Sequence, residues 1–218
     1  MENRHEIQER PPFLIGIIGT NGTGKSVTAR KIAEQWRKTR PNGDIIAFDP
    51  TDSFKGIANK FIYPHEDWCG KILESRNSLI LMDEHRILHP QAIAKARFAE
   101  VMSMRRDYAI DIIYIVHNPK LVIEILTYYT TRYYLFYTQA REGAFKDKMP
   151  NYSICVGASD FINDYVRELI RVTGKKGEYP DFPYMVVNNE TEEISAINID
   201  PKYLHKGYNI GDSESLNL

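Results

Sequence analysis

Residues Gly19-Thr20-Asn21-Gly22-Thr23-Gly24-Lys25-Ser26 fill every fixed position of the spacing G-x-x-x-x-G-K-[ST]. Glycines let the backbone curl so that successive N–H groups point inward at a β-phosphate. A helix opening near Lys25 adds its positive N-terminal end. The spacing assigns Lys25 to the β- and γ-phosphates and the Ser26 hydroxyl to Mg²⁺, which makes ATP and Mg²⁺ the expected cofactors. The apolar run before the motif and the helical pattern after it set a P-loop apart from a chance glycine-rich turn.

A second group of candidates follows four apolar residues, Leu79-Ile80-Leu81-Met82, which lead into Asp83-Glu84. A carboxylate at the end of a buried parallel strand faces the crevice where such sheets bind ligands. Asp83 is therefore expected to ligate Mg²⁺, directly or through water. Glu84, beside the metal ligand but free of it, is the candidate that aims and deprotonates a water for attack on the γ-phosphate. The alternative makes Glu84 an ordinary solvated acid. His85 and His89 lie four apart, but DEHRILHP lacks the order H-E-x-x-H and Pro90 disturbs a helix, so they read as loop residues.

The third group surrounds RRDYAIDIIYIVHNP. His117 at the tip of this strand would sit beside the γ-phosphate if the strand lies between the first strand and the one ending at Asp83. There it could report hydrolysis through one hydrogen bond; a plain Asn-Pro strand-end turn is the alternative. Arg105 or Arg106 could stabilise transition-state charge on a neighbouring subunit's γ-phosphate, with Arg97 a weaker choice. A solvated helix end accounts for the same arginines.

The elements that must position these groups follow from hydrophobic period. Short apolar runs at 13–19, 44–50, 77–85, 110–119 and 130–138 read as buried strands. Helical patterns at 25–40, where Val27, Ile32, Ala33 and Trp36 share one side, and at 92–107 alternate with them, and a short helix begins near Lys120. Such alternation predicts a doubly wound α/β fold with a mainly parallel central sheet, and with the phosphate motif the chain resembles a three-layer P-loop NTPase of the RecA/ASCE-like kind. A helix at 159–172 capped by Ser159 and a hairpin at 184–199 around Asn188-Asn189 complete the C-terminal part. The expected organisation is a polar lead-in (1–12), one P-loop ATPase domain (13–200, with its motif core at 13–138 and an elaboration at 139–200), and a flexible tail (201–218).

The 218 residues suit one domain, and 28 basic against 29 acidic residues give no global charge that would mark a nucleic-acid or membrane binder. Two cysteines, Cys69 and Cys155, make no disulfide framework and suggest a reduced, cytoplasmic setting. No stretch approaches the ~18 apolar residues of a membrane span.

Taken together, GTNGTGKS, the Phe48-Asp49-Pro50 after the second strand, LILMDEH and RRDYAIDIIYIVHNP resemble the FtsK/HerA group of P-loop motors. Within it they are most similar to the Zot-like proteins and the genome-packaging ATPases of phages and viruses. The resemblance covers about residues 13–138; Arg106 falls on the family's arginine, His117 replaces its usual glutamine, and Ala109 replaces a glycine. An imidazole can still donate a hydrogen bond.

The resemblance implies an ATP-hydrolysing motor: a homo-oligomeric ring with ATP between subunits and double-stranded DNA through the centre, gripped at its phosphates without sequence reading. Capsid or portal-vertex proteins are then possible partners, and the host cytoplasm or virion vertex the location. Lys146, Lys148, Lys175 and Lys176 are loop cations that could line a channel. Two alternatives stay open: a small-molecule or nucleotide kinase, which needs an arginine-bearing lid that 139–148 supplies thinly, and an ATP-driven assembly switch that pumps nothing.

Overall fold

The computed structural model describes residues 10–49, 52–63, 67–83, 92–122, 124–138, 145, 149–174, 182–204 and 209–211. All five expected strands are present: β1 (Leu14–Ile18), β2 (Asp44–Phe48), β4 (Ser78–Met82), β5 (Ile110–Val116) and β6 (Arg132–Phe136). A two-residue strand β3 (Lys60–Phe61), the hairpin strands β7 (Tyr184–Asn188) and β8 (Ile194–Ile197), and β9 (Asn209–Gly211) complete a nine-stranded sheet in the order β3-β2-β4-β5-β1-β6-β7-β8-β9. From β3 to β6 every neighbouring pair is parallel, and β7 reverses direction against β6.

Alternate side chains of each central strand enter one of two apolar cores. From β1, Leu14 and Ile18 go to one face and Ile15 and Ile17 to the other; from β4, Ile80 and Met82 oppose Leu79 and Leu81. Burial on both faces explains why these strands are near-continuous apolar runs. One face is covered by α1 (Lys25–Thr39) through Ala29, Ile32, Ala33 and Trp36. The other is covered by α2 (Trp68–Glu74), α3 (Ala92–Met104), α4 (Glu124–Tyr129) and α5 (Tyr152–Thr173), through residues such as Ile72, Phe98, Leu126 and Ile162. The result is the expected three-layer α/β architecture. Among the described residues no helix is long and apolar enough to cross a membrane.

Several boundaries differ from the sequence expectation. Helix α5 begins at Tyr152, so Ser159 is an interior position, 3% exposed, and the residue before the helix is Asn151 in the left-handed region. Val27 does not join the buried side of α1; it is 45% exposed. The stretch 201–218, expected to be a loose tail, contributes a 3-10 turn at Pro201–Tyr203 and the strand β9, which gains backbone hydrogen bonds by pairing with β8. Of the lead-in, Arg10 is tied to Asp111 of β5 and Pro12 to Arg105, which follows α3.

Parallel strands give the sheet two unlike rims. At the amino rim, Asp111 on β5 is fully buried and gathers donors from two separate segments, residues 10–13 and the end of α1. Its Oδ1 accepts from the Phe13 backbone N–H at 2.7 Å and from Arg10 Nη1 at 3.2 Å. Its Oδ2 accepts from Trp36 Nε1 at 2.7 Å and Arg10 Nη2 at 3.1 Å, with Arg40 Nη1 at 3.5 Å. A buried carboxylate persists only when its lone pairs are filled in this way. The carboxyl rim carries the loops of the candidate site.

Candidate nucleotide and metal site

The loop between β1 and α1 is held by the strands on either side of β1. Gly19 N–H donates to Val116 O at 3.1 Å at the end of β5, and Thr20 N–H to Tyr137 O at 2.9 Å beyond β6. Gly22 and Gly24 take φ of 76° and 90°, the left-handed region that glycine enters without penalty and that turns successive N–H groups toward one centre. Inside the curl, Thr23 Oγ1 donates to Thr20 O at 2.8 Å and Lys25 Nζ to the same carbonyl at 2.7 Å. Lys25 is only 5% exposed, so its ammonium is delivered to the loop interior rather than to solvent.

Ser26 Oγ lies 3.4 Å from Asp83 Oδ2, although the two are 57 positions apart in sequence. The β2–β4 pairing that sets Phe48 opposite Met82, and the Asp83 N–H to Phe48 O bond of 2.9 Å, place Asp83 at this point. A hydroxyl and a 5%-exposed carboxylate meeting beside a phosphate loop are hard oxygen donors of the kind Mg²⁺ takes, with phosphate and water filling its remaining positions. The residues present therefore fit the ion that the sequence assigns to them.

Asn21, Lys25, Ser26, Asp83 and His117 line one cavity of about 500 Å³ over the loop. Strand β5 lies between β1 and β4, the condition under which His117 would stand near a terminal phosphate. The Asp49 of the FDP stretch also has a visible role, for its Oδ2 accepts from Phe54 N–H at 2.7 Å, while Arg30 on α1 donates to Ser53 O at 2.8 Å. These bonds fold the loop after β2 against α1 and bring Ser53 to the cavity wall.

The arginines are not part of this cluster. Arg105 is 4% exposed and donates to Pro12 O at 3.0 Å at the amino rim; burial, and then the neighbouring Arg106, pull its pKa below the usual arginine value. A side chain fixed in that way does not reach into another subunit, which corrects the expectation for Arg105. Arg106 is exposed, but it precedes the seven residues of β5 and so stands roughly 20 Å from the carboxyl rim of its own sheet. Arg97 pairs with Asp67 at the surface. Glu84, His85, His89, Lys146, Lys148, Lys175 and Lys176 lie outside the described residues.

Three lining residues carry no assignment from the sequence: Val27, Ser53 and Phe182. Ser53 was foreshadowed only by its nearness to FDP, and Val27 by its position directly after the motif. Phe182 carried no signal, because only the β6–β7 reversal brings it to the loop. The thiols offer no nucleophile: burial pushes both Cys69 and Cys155 up to about 12.

The family described as "Helicase HerA, central domain" matches residues 15–124. Among solved structures, the genome packaging NTPase B204 from Sulfolobus turreted icosahedral virus 2 in complex with ATP-gammaS is similar at 12% identity. The match covers 88% of this chain and 98% of that one, with a TM-score of 0.58. B204, the DNA-packaging ATPase from Sulfolobus turreted icosahedral virus, is similar at 15% identity over 90% of this chain and 100% of that one, with a TM-score of 0.55. The N-terminal domain of zonular occludens toxin from Neisseria meningitidis aligns at 15% identity over 89% and 97% of the two chains, with a TM-score of 0.47. No curated protein matches the sequence.

Proposed function

The chain belongs to the HerA central-domain family and is a nucleotide-binding P-loop ATPase; from that premise we propose that it is a DNA-translocating motor, a homo-oligomeric ring that packages a viral genome. The observation that carries the proposal is the meeting of Lys25, Ser26, Asp83 and His117 around one cavity, with β5 inserted between β1 and β4. That arrangement suits splitting of a terminal phosphate by water and a strand tip that registers the loss. The likeness to the two B204 structures supports the packaging role.

In the proposed cycle the loop N–H groups and Lys25 hold the β- and γ-phosphates. Ser26 and Asp83 hold Mg²⁺, which when bound neutralises charge developing on the phosphate oxygens. Glu84 orients and deprotonates the attacking water. His117 donates to the γ-phosphate and relaxes when it leaves. Arg106 serves a neighbouring subunit's site, since it is exposed and stands away from its own. The ring grips duplex DNA through phosphates irrespective of sequence, acts in the host cytoplasm or at the virion vertex, and engages capsid or portal proteins there.

ATP turnover with and without duplex DNA, combined with mass measurement in a non-hydrolysable analogue, tests the proposal. DNA-stimulated turnover, a discrete ring, and a Glu84→Gln variant that binds ATP without hydrolysing it are expected. Turnover indifferent to DNA in a monomer would overturn the motor reading, and ADP release that required an added acceptor would replace it with a kinase.

A further inference from the structure

Among the residues that line the cavity over the phosphate loop, two bring large apolar side chains, Val27 and Phe182. We infer that Phe182 is the face on which the purine base of the bound nucleotide stacks. This rests on the nucleotide-binding reading of the cavity and is independent of the DNA motor.

The sheet order gives the direction. Asp83 follows β4 and His117 follows β5, both on one side of β1, whereas Phe182 leads into β7, two strands away on the other side. Because β7 runs antiparallel to β6, with Tyr184 opposite Phe136, Phe182 stands at the carboxyl rim. A triphosphate laid across the loop with its terminal phosphate toward Asp83 and His117 carries its nucleoside toward β6 and β7. Strand spacing puts the two sides roughly 10 Å from β1 each way, a span that a triphosphate and ribose bridge.

Phe182 is built for the role rather than merely near. Its ring lies directly over Gly24, where any Cβ would collide with the Phe182 side chain. It is packed on the α1-side core yet keeps part of its surface open. That core supports it with Tyr184, whose ring stacks on Phe136 at 4.6 Å between centroids. Its backbone has φ of 40°; a bulky side chain in this region is strained and persists where surrounding packing imposes it, often at ligand sites. Val27, 45% exposed at the first turn of α1, offers a second apolar contact at the same mouth. Stacking on an aromatic face uses the π-surface that every base has, so it favours the larger purines and discriminates little between adenine and guanine.

The test compares ATP and GTP with inorganic tripolyphosphate, each with Mg²⁺, by equilibrium binding to the wild-type chain and to Phe182→Ala, Phe182→Leu and Phe182→Trp. Both aliphatic variants should weaken ATP and GTP about tenfold and leave tripolyphosphate unchanged, while tryptophan keeps nucleotide affinity within about twofold. The leucine variant retains bulk over Gly24, so it separates stacking from loop support. Equal weakening of ATP and tripolyphosphate would make the ring a brace for the loop and overturn the inference, as would unchanged ATP binding in both aliphatic variants. A wild-type chain that bound neither ligand would overturn the nucleotide reading and this inference with it. Loss of DNA stimulation alongside the expected binding pattern would sink only the motor.

Discussion

The two rims of one sheet use charge in opposite ways. At the amino rim the Asp111 carboxylate is fully buried and saturated by Phe13, Trp36, Arg10 and Arg40. At the carboxyl rim Lys25 and Asp83 are nearly as buried, yet they border a cavity of about 500 Å³. Saturation at one end consumes charge in tying distant segments together. Incomplete enclosure at the other leaves charge to act on a ligand. Five to seven residues of strand separate the two, so the ends can be perturbed independently.

The largest expected effect is on the saturated rim. Asp111→Ala leaves the Trp36 N–H and two guanidiniums without their acceptor, and removing one partner from a buried ion pair costs about 3–5 kcal/mol. Thermal melting should fall by about 10 °C or more, while ATP turnover per folded molecule stays near wild type at low temperature. Loss of turnover without loss of stability would erase the contrast. Next, Lys25→Ala should lower turnover by about 10²–10³ with an unchanged melting temperature, since one charged donor to a developing oxyanion has about that weight; a large drop in melting would make Lys25 structural.

Trp36→Phe removes one hydrogen bond to a charged acceptor and should lower stability by about 1.5–3 kcal/mol in denaturant titration. A change under ~0.5 kcal/mol would mean that the arginines alone satisfy Asp111. The smallest effect sharpens the comparison from the solvent-exposed edge of the amino rim, where β2 and β3 begin. Asp44 is held below the usual carboxylate range first by its hydrogen bond from Lys60 at 2.6 Å. Its contribution is therefore present above the ordinary value of 3.8 and lost as pH falls through the lower folded one. Both partners are solvent-accessible, so a double-mutant cycle should give about 0.2–1 kcal/mol, fading with salt.

These rims are unequally legible in sequence. The carboxyl rim is the more legible end, because the glycine loop with Ser26, Asp83 after its apolar strand and the His117 strand tip all lie in short local patterns. The amino rim does not, because Asp111 meets Arg10 across 101 positions and Trp36 across 75, and no local period encodes that. The five buried strands are readable as apolar runs. The expected start of α5 falls late because Gly157, Ser159 and Asp160 look like a helix start, whereas burial of Cys155, Ala158 and Ser159 overrides that local preference. Strand β3 and helix α2 are too short to show a period, and Phe182 acquires its place only from the antiparallel turn-back of β7.

The outermost strands have a consequence for how copies of the chain can meet. Strand β3 offers two residues and β9 three, too little unpaired backbone to template a neighbour's strand. Among the described residues, these flanks therefore offer no ladder long enough to extend the sheet into a continuous ribbon. A ring of the kind proposed would then join its copies through side chains and loops, contacts that can loosen and re-form without tearing the hydrogen-bonded ladder inside either copy.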